Sequence, residues 1–225
     1  MKKYCKLAML LMVAALPSRL KIIFYNQFMG GDIHPSAKIG FSLIDAKKIK
    51  MGANASIGHL NIIRGLELLD MGENSIILKQ NSITALALGD TVQFAAEHDR
   101  FPALILGAHS AIVSKHFLDC NNTIVIGHHT TIAGLGTAFF THGINIGQNR
   151  QESAPIRIGD YCMVGAMCCI LKNSQMPDYS VLAAGSTWRG GFDTPYALYS
   201  GVPAAHIKNL NPESLYFHRA VGYVD

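Results

Sequence analysis

Two stretches of the chain crowd together side chains able to move a proton or grip a polar ligand. The first, "THGINIGQNRQESAPIRIG" at residues 141–159, carries His142 beside the polar loop 147–155. An imidazole is half-titrated near neutral pH, so a histidine projecting there can serve as a general base. The second, "SKHFLDC" at residues 114–120, sets Ser114, Lys115, His116 and Asp119 close together, enough donors and acceptors to bind several hydroxyls. His116 is the competing base. Cysteine chemistry is disfavoured: there are five cysteines and no CxxC pair, and neither Cys120 nor Cys169 has an adjacent histidine. A metal site is disfavoured too, because His128 and His129 are neighbours that diverge on a strand while His109 and His116 stand seven apart.

The elements that must position these groups follow a period of six. Ile158, Val164, Ile170, Met176 and Leu182 open five successive hexads, and four places later in each stand Cys162, Cys168, Ser174, Ser180 and Ser186. One aliphatic and one small residue per hexad predicts a parallel β-helix with short flat faces, three hexads to a coil, the aliphatic side chains forming one inner column. Aliphatic–glycine pairs continue the pattern upstream at Ile39, Met51, Ile57, Met71, Leu88, Leu106, Ile126 and Ile146. Intervals of eighteen, such as Leu88 to Leu106, count as one regular turn; intervals of twenty, such as Met51 to Met71, require bulged corners. Seven to eight turns are expected from Ile33 to Trp188. His142 falls where the hexads lose register, after Ala138 in a weak aliphatic slot, so it should project from the prism.

Composition is consistent with one apolar core and excludes some functions. The chain is 49% hydrophobic and 15% charged, with a scattered net charge of +4 and no basic stripe of the kind nucleic-acid binding requires. Cys162 and Cys168 occupy the small inward slot, as buried thiols rather than a disulfide framework.

The ends depart from the repeat and divide the chain into residues 1–31, 32–188 and 189–225. In the first segment, Lys2, Lys3 and Lys6 precede ten apolar residues ending at Leu16; Val13-Ala14-Ala15 fits a signal-peptidase site, and the run is too short to span a bilayer. Leu20, Ile23, Phe24 and Phe28, with Arg19 and Lys21 on other faces, describe an amphipathic helix. It is expected to cap the first coil, and its faces also suit peripheral contact with an anionic membrane surface. Asn211-Pro212-Glu213 opens a short helix to about Ala220 that should close the last coil.

The hexads, "PIRIGDYCMVGA", the "LAAGS" turn and the "SGVPAAHIK" tail together resemble the hexapeptide-repeat, or isoleucine-patch, acyltransferases, and most of all acetyltransferases of bacterial surface-polysaccharide biosynthesis. The His142 loop is similar to the catalytic-histidine loop of galactoside and maltose acetyltransferases. The resemblance implies an all-β solenoid, a left-handed parallel β-helix with short N- and C-terminal helical caps, assembled as a homotrimer in the cytoplasm, at the inner face of its membrane if the N-terminal contact is made. It implies acetyl-CoA as donor and a sugar or glycan hydroxyl as acceptor, with His142 the base and Ser114, Lys115, His116 and Asp119 lining the acceptor side. Coenzyme A would lie along Gly165, Ala166, Ala184, Gly185 and Ser186, its phosphates met by Arg189 and Lys208; Ala205 stands where the family often has a cation. No metal is expected. The alternatives are N-acetylation of an amino-sugar nucleotide, a γ-carbonic-anhydrase-like metalloenzyme and a non-catalytic scaffold.

Overall fold

The computed structural model describes residues 2–89 and 92–224. Two helices, α1 (Lys2–Ala15) and α2 (Ser18–Phe28), lead into a left-handed parallel β-helix of seven coils. In the first two coils Leu43–Met51 and Ile62–Met71 run unbroken through faces two and three; later coils give each face its own short strand, except that the last has none on face three. Face one runs Lys38–Ile39, Ser56–Ile57, Ile76–Ile77, Ala111–Ile112, Thr131–Ile132, Met163–Val164 and Val181–Leu182, paired in parallel from coil to coil. Face two ends in Ser82–Thr84, Phe117–Asp119, Ala138–Phe140, Cys169–Leu171 and Thr187–Trp188, and face three in Ala103–Leu106, Ile124–Ile126, Ile156–Ile158 and Ser174–Met176.

The hexad register is realised in the core. Ile158, Val164, Ile170, Met176 and Leu182 are all buried in the column, and Cys162, Cys168, Ser174, Ser180 and Ser186 are buried at the bends. The residue before each small slot carries the left-handed backbone: Tyr161, Met167, Asn173, Tyr179 and Gly185 all have positive φ. Gly165 serves a different end, since a Cβ there would stand 2.6 Å from the Ala184 amide nitrogen of the next coil.

Two of the aliphatic–glycine pairs lie outside the prism. Leu88 sits in the segment between Ser82–Thr84 and Ala103–Leu106, and Ile146 in a hairpin where it is 90% exposed. The eighteen residues from Leu88 to Leu106 therefore imitate a turn without being one. Ala138 likewise faces outward, and Phe139 fills the column.

Most departures from regularity gather at one corner, where face two passes to face three, although the corner between faces one and two is a residue shorter from Ile39 to Leu43 and a residue longer from Ile132 to Ala138 than in the neighbouring coils. Gly65 is the extra residue of a bulge between Asp45/Ala46 and their partners. Residues 85–89 and 92–102 are without strand or helix, Cys120–Thr123 lengthen the next corner, and residues 141–155 extrude a hairpin of Ile-poor, polar strands His142–Asn145 and Arg150–Ser153.

The ends are closed by polar groups as well as apolar ones. Ser18 Oγ accepts the Ile39 N–H at 2.9 Å, Lys21 Nζ donates to the Gly40 and Ile39 carbonyls at 2.6 and 3.3 Å, and the Asn26 amide holds both backbone groups of Ile33. Capping therefore turns α2 opposite to its amphipathic pattern: Lys21, Ile22 and Tyr25 face the coil, while Leu20, Ile23 and Phe28 face outward. At the other end an antiparallel hairpin, Ala197–Gly201 with Ala204–Asn209, and the packed rings of Trp188, Phe192 and Tyr199 close the last coil. The terminal helix is a single 3-10 turn, Leu215–His218, which lies along the flank of the prism against Tyr179 and Tyr196 instead of over its end.

Gly65 has φ +79°, and an added Cβ would come within 1.9 Å of the Ala85 carbonyl oxygen. Gly65→Ala is expected to lower stability by about 2 kcal/mol or more, whereas Ile170→Val in the column should cost about 0.5–1.5 kcal/mol. Urea unfolding of the two variants checks both, and an unaltered Gly65→Ala midpoint would contradict the bulge.

Candidate active site

The irregular corner brings His142 and Asp119 together. Asp119 ends the face-two strand of the fourth coil and pairs in register with Phe140 of the fifth, so His142, two residues further on, hangs over it. His142 Nδ1 meets Asp119 Oδ2 in a short hydrogen bond. The carboxylate is only 3% exposed. Its other oxygen accepts from the Asn121 side chain at 2.5 Å and the Asn121 amide at 3.1 Å, so both oxygens are engaged and the group is fixed in direction.

With Nδ1–H donated to Asp119, the lone pair of His142 lies on Nε2, and the side chain as a whole is 36% exposed. The hydrogen bond to Asp119 raises the imidazole pKa above its ordinary 6.5, against an opposing contribution from burial. The result is an oriented base of increased proton affinity at the prism surface.

A second layer is supplied by residues 85–89 and 92–102. Asn121 Oδ1 accepts the Leu86 N–H at 2.8 Å, and the buried Arg100 donates to the carbonyls of Leu86, Ala87 and Asn121 at 2.7, 3.0 and 3.3 Å. The Arg100 guanidinium lies 4.6 Å above the Phe94 ring, whose neighbour in turn is the His142 ring, edge to face at 5.8 Å. Glu97 fastens the far strand of the hairpin by accepting from the Ser153 amide and hydroxyl at 3.0 and 2.8 Å. None of Phe94, Glu97, Arg100 or Asn121 is marked by the hexad pattern.

The other residues of "SKHFLDC" do not join this group. His116 is 2% exposed at the preceding corner, between faces one and two, where Nδ1 accepts the Thr137 N–H at 3.1 Å. Its remaining proton is thereby on Nε2, which has no partner, and burial lowers the ring's pKa. That is a structural histidine, closed to a substrate hydroxyl. Ser114 and Lys115 occupy the same corner, Ser114 Oγ accepting the Lys79 amide at 3.4 Å and Lys115 exposed with positive φ.

Gly165, Ala166, Ala184 and Gly185 stack at that corner too, two coils deep, with the Gly185 amide bonded to the Ala166 carbonyl at 2.9 Å. Ser186 is buried and its hydroxyl accepts from the Gly201 amide. Arg189 and Lys208 are exposed toward the last coil. Small-residue corner and His142 thus border opposite edges of face two within one chain. Cys120, Cys162 and Cys168 are buried, and burial pushes Cys162 up to about 12; Cys169 is half-buried and Cys5 exposed. Among the described residues no cluster of three or more His, Cys, Asp or Glu side chains could hold a metal ion. His109 and His129 instead stack face to face at 4.8 Å.

No family model and no curated protein sequence matches the chain. Its fold is shared with solved structures. A hexapeptide-repeat-containing acetyltransferase from Vibrio cholerae superposes with TM-score 0.50 at 23% identity over 63% of this chain and 74% of that one. AntD, an N-acyltransferase from Bacillus cereus, as a point mutant in complex with dTDP and coenzyme A, superposes with TM-score 0.56 at 14% identity over 83% and 88%.

The raised pKa of His142 depends on Asp119. Removing the charge with Asp119→Asn is expected to bring the ring's titration, followed by NMR, down from above 6.5 in the wild type toward or below that ordinary value. A midpoint unmoved by the substitution would mean that the pair does not govern the imidazole.

Proposed function

We propose that this chain, which has the left-handed β-helix of the hexapeptide-repeat acetyltransferases, is a CoA-dependent O-acetyltransferase acting on a hydroxyl of a sugar or polysaccharide precursor. The observation that carries the reading is the His142–Asp119 pair, which leaves Nε2 as the basic nitrogen of an oriented, partly exposed ring at the irregular corner.

In the proposed step the acceptor hydroxyl gives its proton to His142 Nε2 as its oxygen attacks the thioester carbonyl of acetyl-CoA. Asp119 stabilises the imidazolium formed. Collapse of the tetrahedral intermediate breaks the C–S bond, and the imidazolium returns the proton to the leaving thiolate of coenzyme A. Backbone N–H groups of a neighbouring coil would hold the oxyanion. No covalent enzyme intermediate is needed, in keeping with the buried, high-pKa cysteines.

The donor would lie along Gly165, Ala166, Ala184 and Gly185, where small side chains leave backbone amides accessible to pantetheine, with Arg189 and Lys208 toward its phosphates. Because that corner and His142 lie across face two from one another, one chain leaves the groove half-built. A homotrimer, in which one subunit's small-residue corner faces the next subunit's His142, would complete it. Acetyl-CoA as donor places the activity in the cytoplasm. In this reading Asp119 orients the base, and residues 85–89 and 92–102 with the hairpin supply the acceptor's surroundings.

A second reading is favoured by one comparison: AntD is an N-acyltransferase solved with dTDP, and the same base could take a proton from an attacking amine of an amino-sugar nucleotide. A thiol-release assay with acetyl-CoA over sugars, nucleotide sugars and amino-sugar nucleotides separates the two.

His142→Ala is expected to lower turnover by about 10²–10⁴-fold with acetyl-CoA affinity and melting temperature nearly unchanged. His116→Ala should instead lower the melting temperature, since its ring is a buried corner contact. Near-normal turnover in His142→Ala would remove the base from the mechanism. The wild-type rate should fall as pH drops through the His142 pKa, and because Asp119 raises that pKa the acid limb should lie above pH 6.5 and shift downward in Asp119→Asn. Sedimentation is expected to give a trimer; a catalytically competent monomer would refute the shared groove.

A further inference from the structure

The N-terminal cap presents a surface that folding does not require. The inward sides of α1 and α2 are already occupied, with Leu10, Val13, Ala14, Ile22 and Tyr25 buried. Their outward sides are nevertheless apolar: Leu7, Leu11, Met12, Leu20, Ile23 and Phe28 are all exposed, Met12 at 66% and Phe28 at 70%. This is the inverse of an ordinary surface helix. The exposed apolar surface continues past the turn between the helices into a groove of about 600 Å³ against face one, lined by Leu16, Phe41 and Leu78 among others.

Charge is concentrated at the same end. Residues 1–50 hold nine lysines and arginines against two aspartates, with Lys47 and Lys50 paired to Glu67 and Asp70 of the next coil and Lys21 buried in the cap, while residues 51–225 hold ten against thirteen carboxylates. Arg19, Lys38 and Lys48 are exposed and have no ion-pair partner among the described residues. No described helix is long and apolar enough to cross a membrane. Helices of 14 and 11 residues with an apolar outer side, in a segment of strong positive charge, suit the interface of an anionic bilayer. Pairing two copies through these surfaces would bring two segments of net positive charge together, which disfavours self-association.

We propose that the outer side of α1 and α2 docks the protein peripherally on an anionic lipid surface, apolar side chains entering the headgroup boundary and the basic residues facing the lipid charges. The site corner lies in the fourth and fifth coils, about three to four interstrand steps of ~4.8 Å from the first. Docking through the cap therefore leaves that corner above the lipid and open.

Co-sedimentation of the full chain with vesicles tests this. The protein should pellet with phosphatidylcholine vesicles containing about 30% phosphatidylglycerol at about 0.1 M NaCl and be largely released by about 0.5 M. Ile23→Gln/Phe28→Gln should weaken partitioning about tenfold or more, and Arg19→Gln/Lys38→Gln should weaken it and flatten the salt dependence. Both variants alter exposed positions outside the site, so their melting and their acetyl transfer to a soluble acceptor should match wild type; loss of that transfer in the wild type would count against the proposed activity and not against docking. Failure to bind anionic vesicles, equal binding to neutral ones, or concentration-dependent self-association abolished by Ile23→Gln/Phe28→Gln in place of lipid binding would each overturn the proposal.

Discussion

Parallel pairing from coil to coil constrains everything else in this molecule. Each strand is only two to four residues long on most faces, and its backbone groups are satisfied solely by the coils before and after it. A coil cannot therefore shift or tilt without opening bonds on both sides. The interior column is filled mainly by aliphatic side chains, with Phe139 in one slot, and its buried polar residues Asn61, Asn81 and His116 are tied to neighbouring backbone, so reactive polar chemistry has to be extruded at a corner. The same constraint leaves open backbone at the ends, which explains why Lys21 is drawn into the cap despite the burial that lowers its pKa: its ammonium answers carbonyls that no coil can reach.

The corner between faces three and one shows how a repeated backbone demand is met by changing side chains. Asn54, Asn74, His109, His129, Tyr161, Tyr179 and Tyr196 all hold positive φ. A non-glycine residue there costs roughly 1 kcal/mol or more. In the early coils asparagine, which tolerates this conformation best, also forms a ladder, Asn54 donating to Asn74 at 3.2 Å. Later coils use stacked rings, His109 to Tyr196, at 4.5–5.3 Å, each contact worth roughly 0.5–1.5 kcal/mol. The C-terminal residues pack on this column, with Arg219 over the Tyr216 and Tyr161 rings and bonded to the His129 carbonyl.

The hexad period was legible because it reflects the core directly: a slot occupied by Ile158, Val164 and Ile170 must be buried if the chain coils at all. Leu88 and Ile146 show where such legibility ends. Each is an aliphatic residue before a glycine, as the column requires, yet both lie in insertions that the spacing alone cannot separate from coils. His142 was legible from its loop. The role of Asp119 as its partner was not, since it depends on counting register through a corner of irregular length; once Phe140 is placed over Asp119, the contact follows. His116 and Asp119 share one short motif, but a strand of three residues sends them to opposite corners. Lys21 was hidden for another reason, because an amphipathic pattern identifies an apolar face without saying which face the cap needs.

The site unites a rigid frame with an irregular rim, and each depends on the other. A buried carboxylate such as Asp119 is costly unless its oxygens are paired. The strand amides beside it cannot pair them, since they are committed to the ladder. Only the lengthened corner supplies free donors: Asn121 folds back onto Asp119 because two extra residues let it, and residues 85–89 and 92–102 then hold Asn121 through Leu86 and Arg100. Asp119 itself is fixed by its strand, with Thr141 Oγ1 donating to its carbonyl at 2.8 Å. His142 consequently receives a partner whose position is set by the prism and whose charge is sustained by the insertion. Shortening the corner to the regular eighteen-residue coil would keep the solenoid and remove the means of orienting the His142 ring.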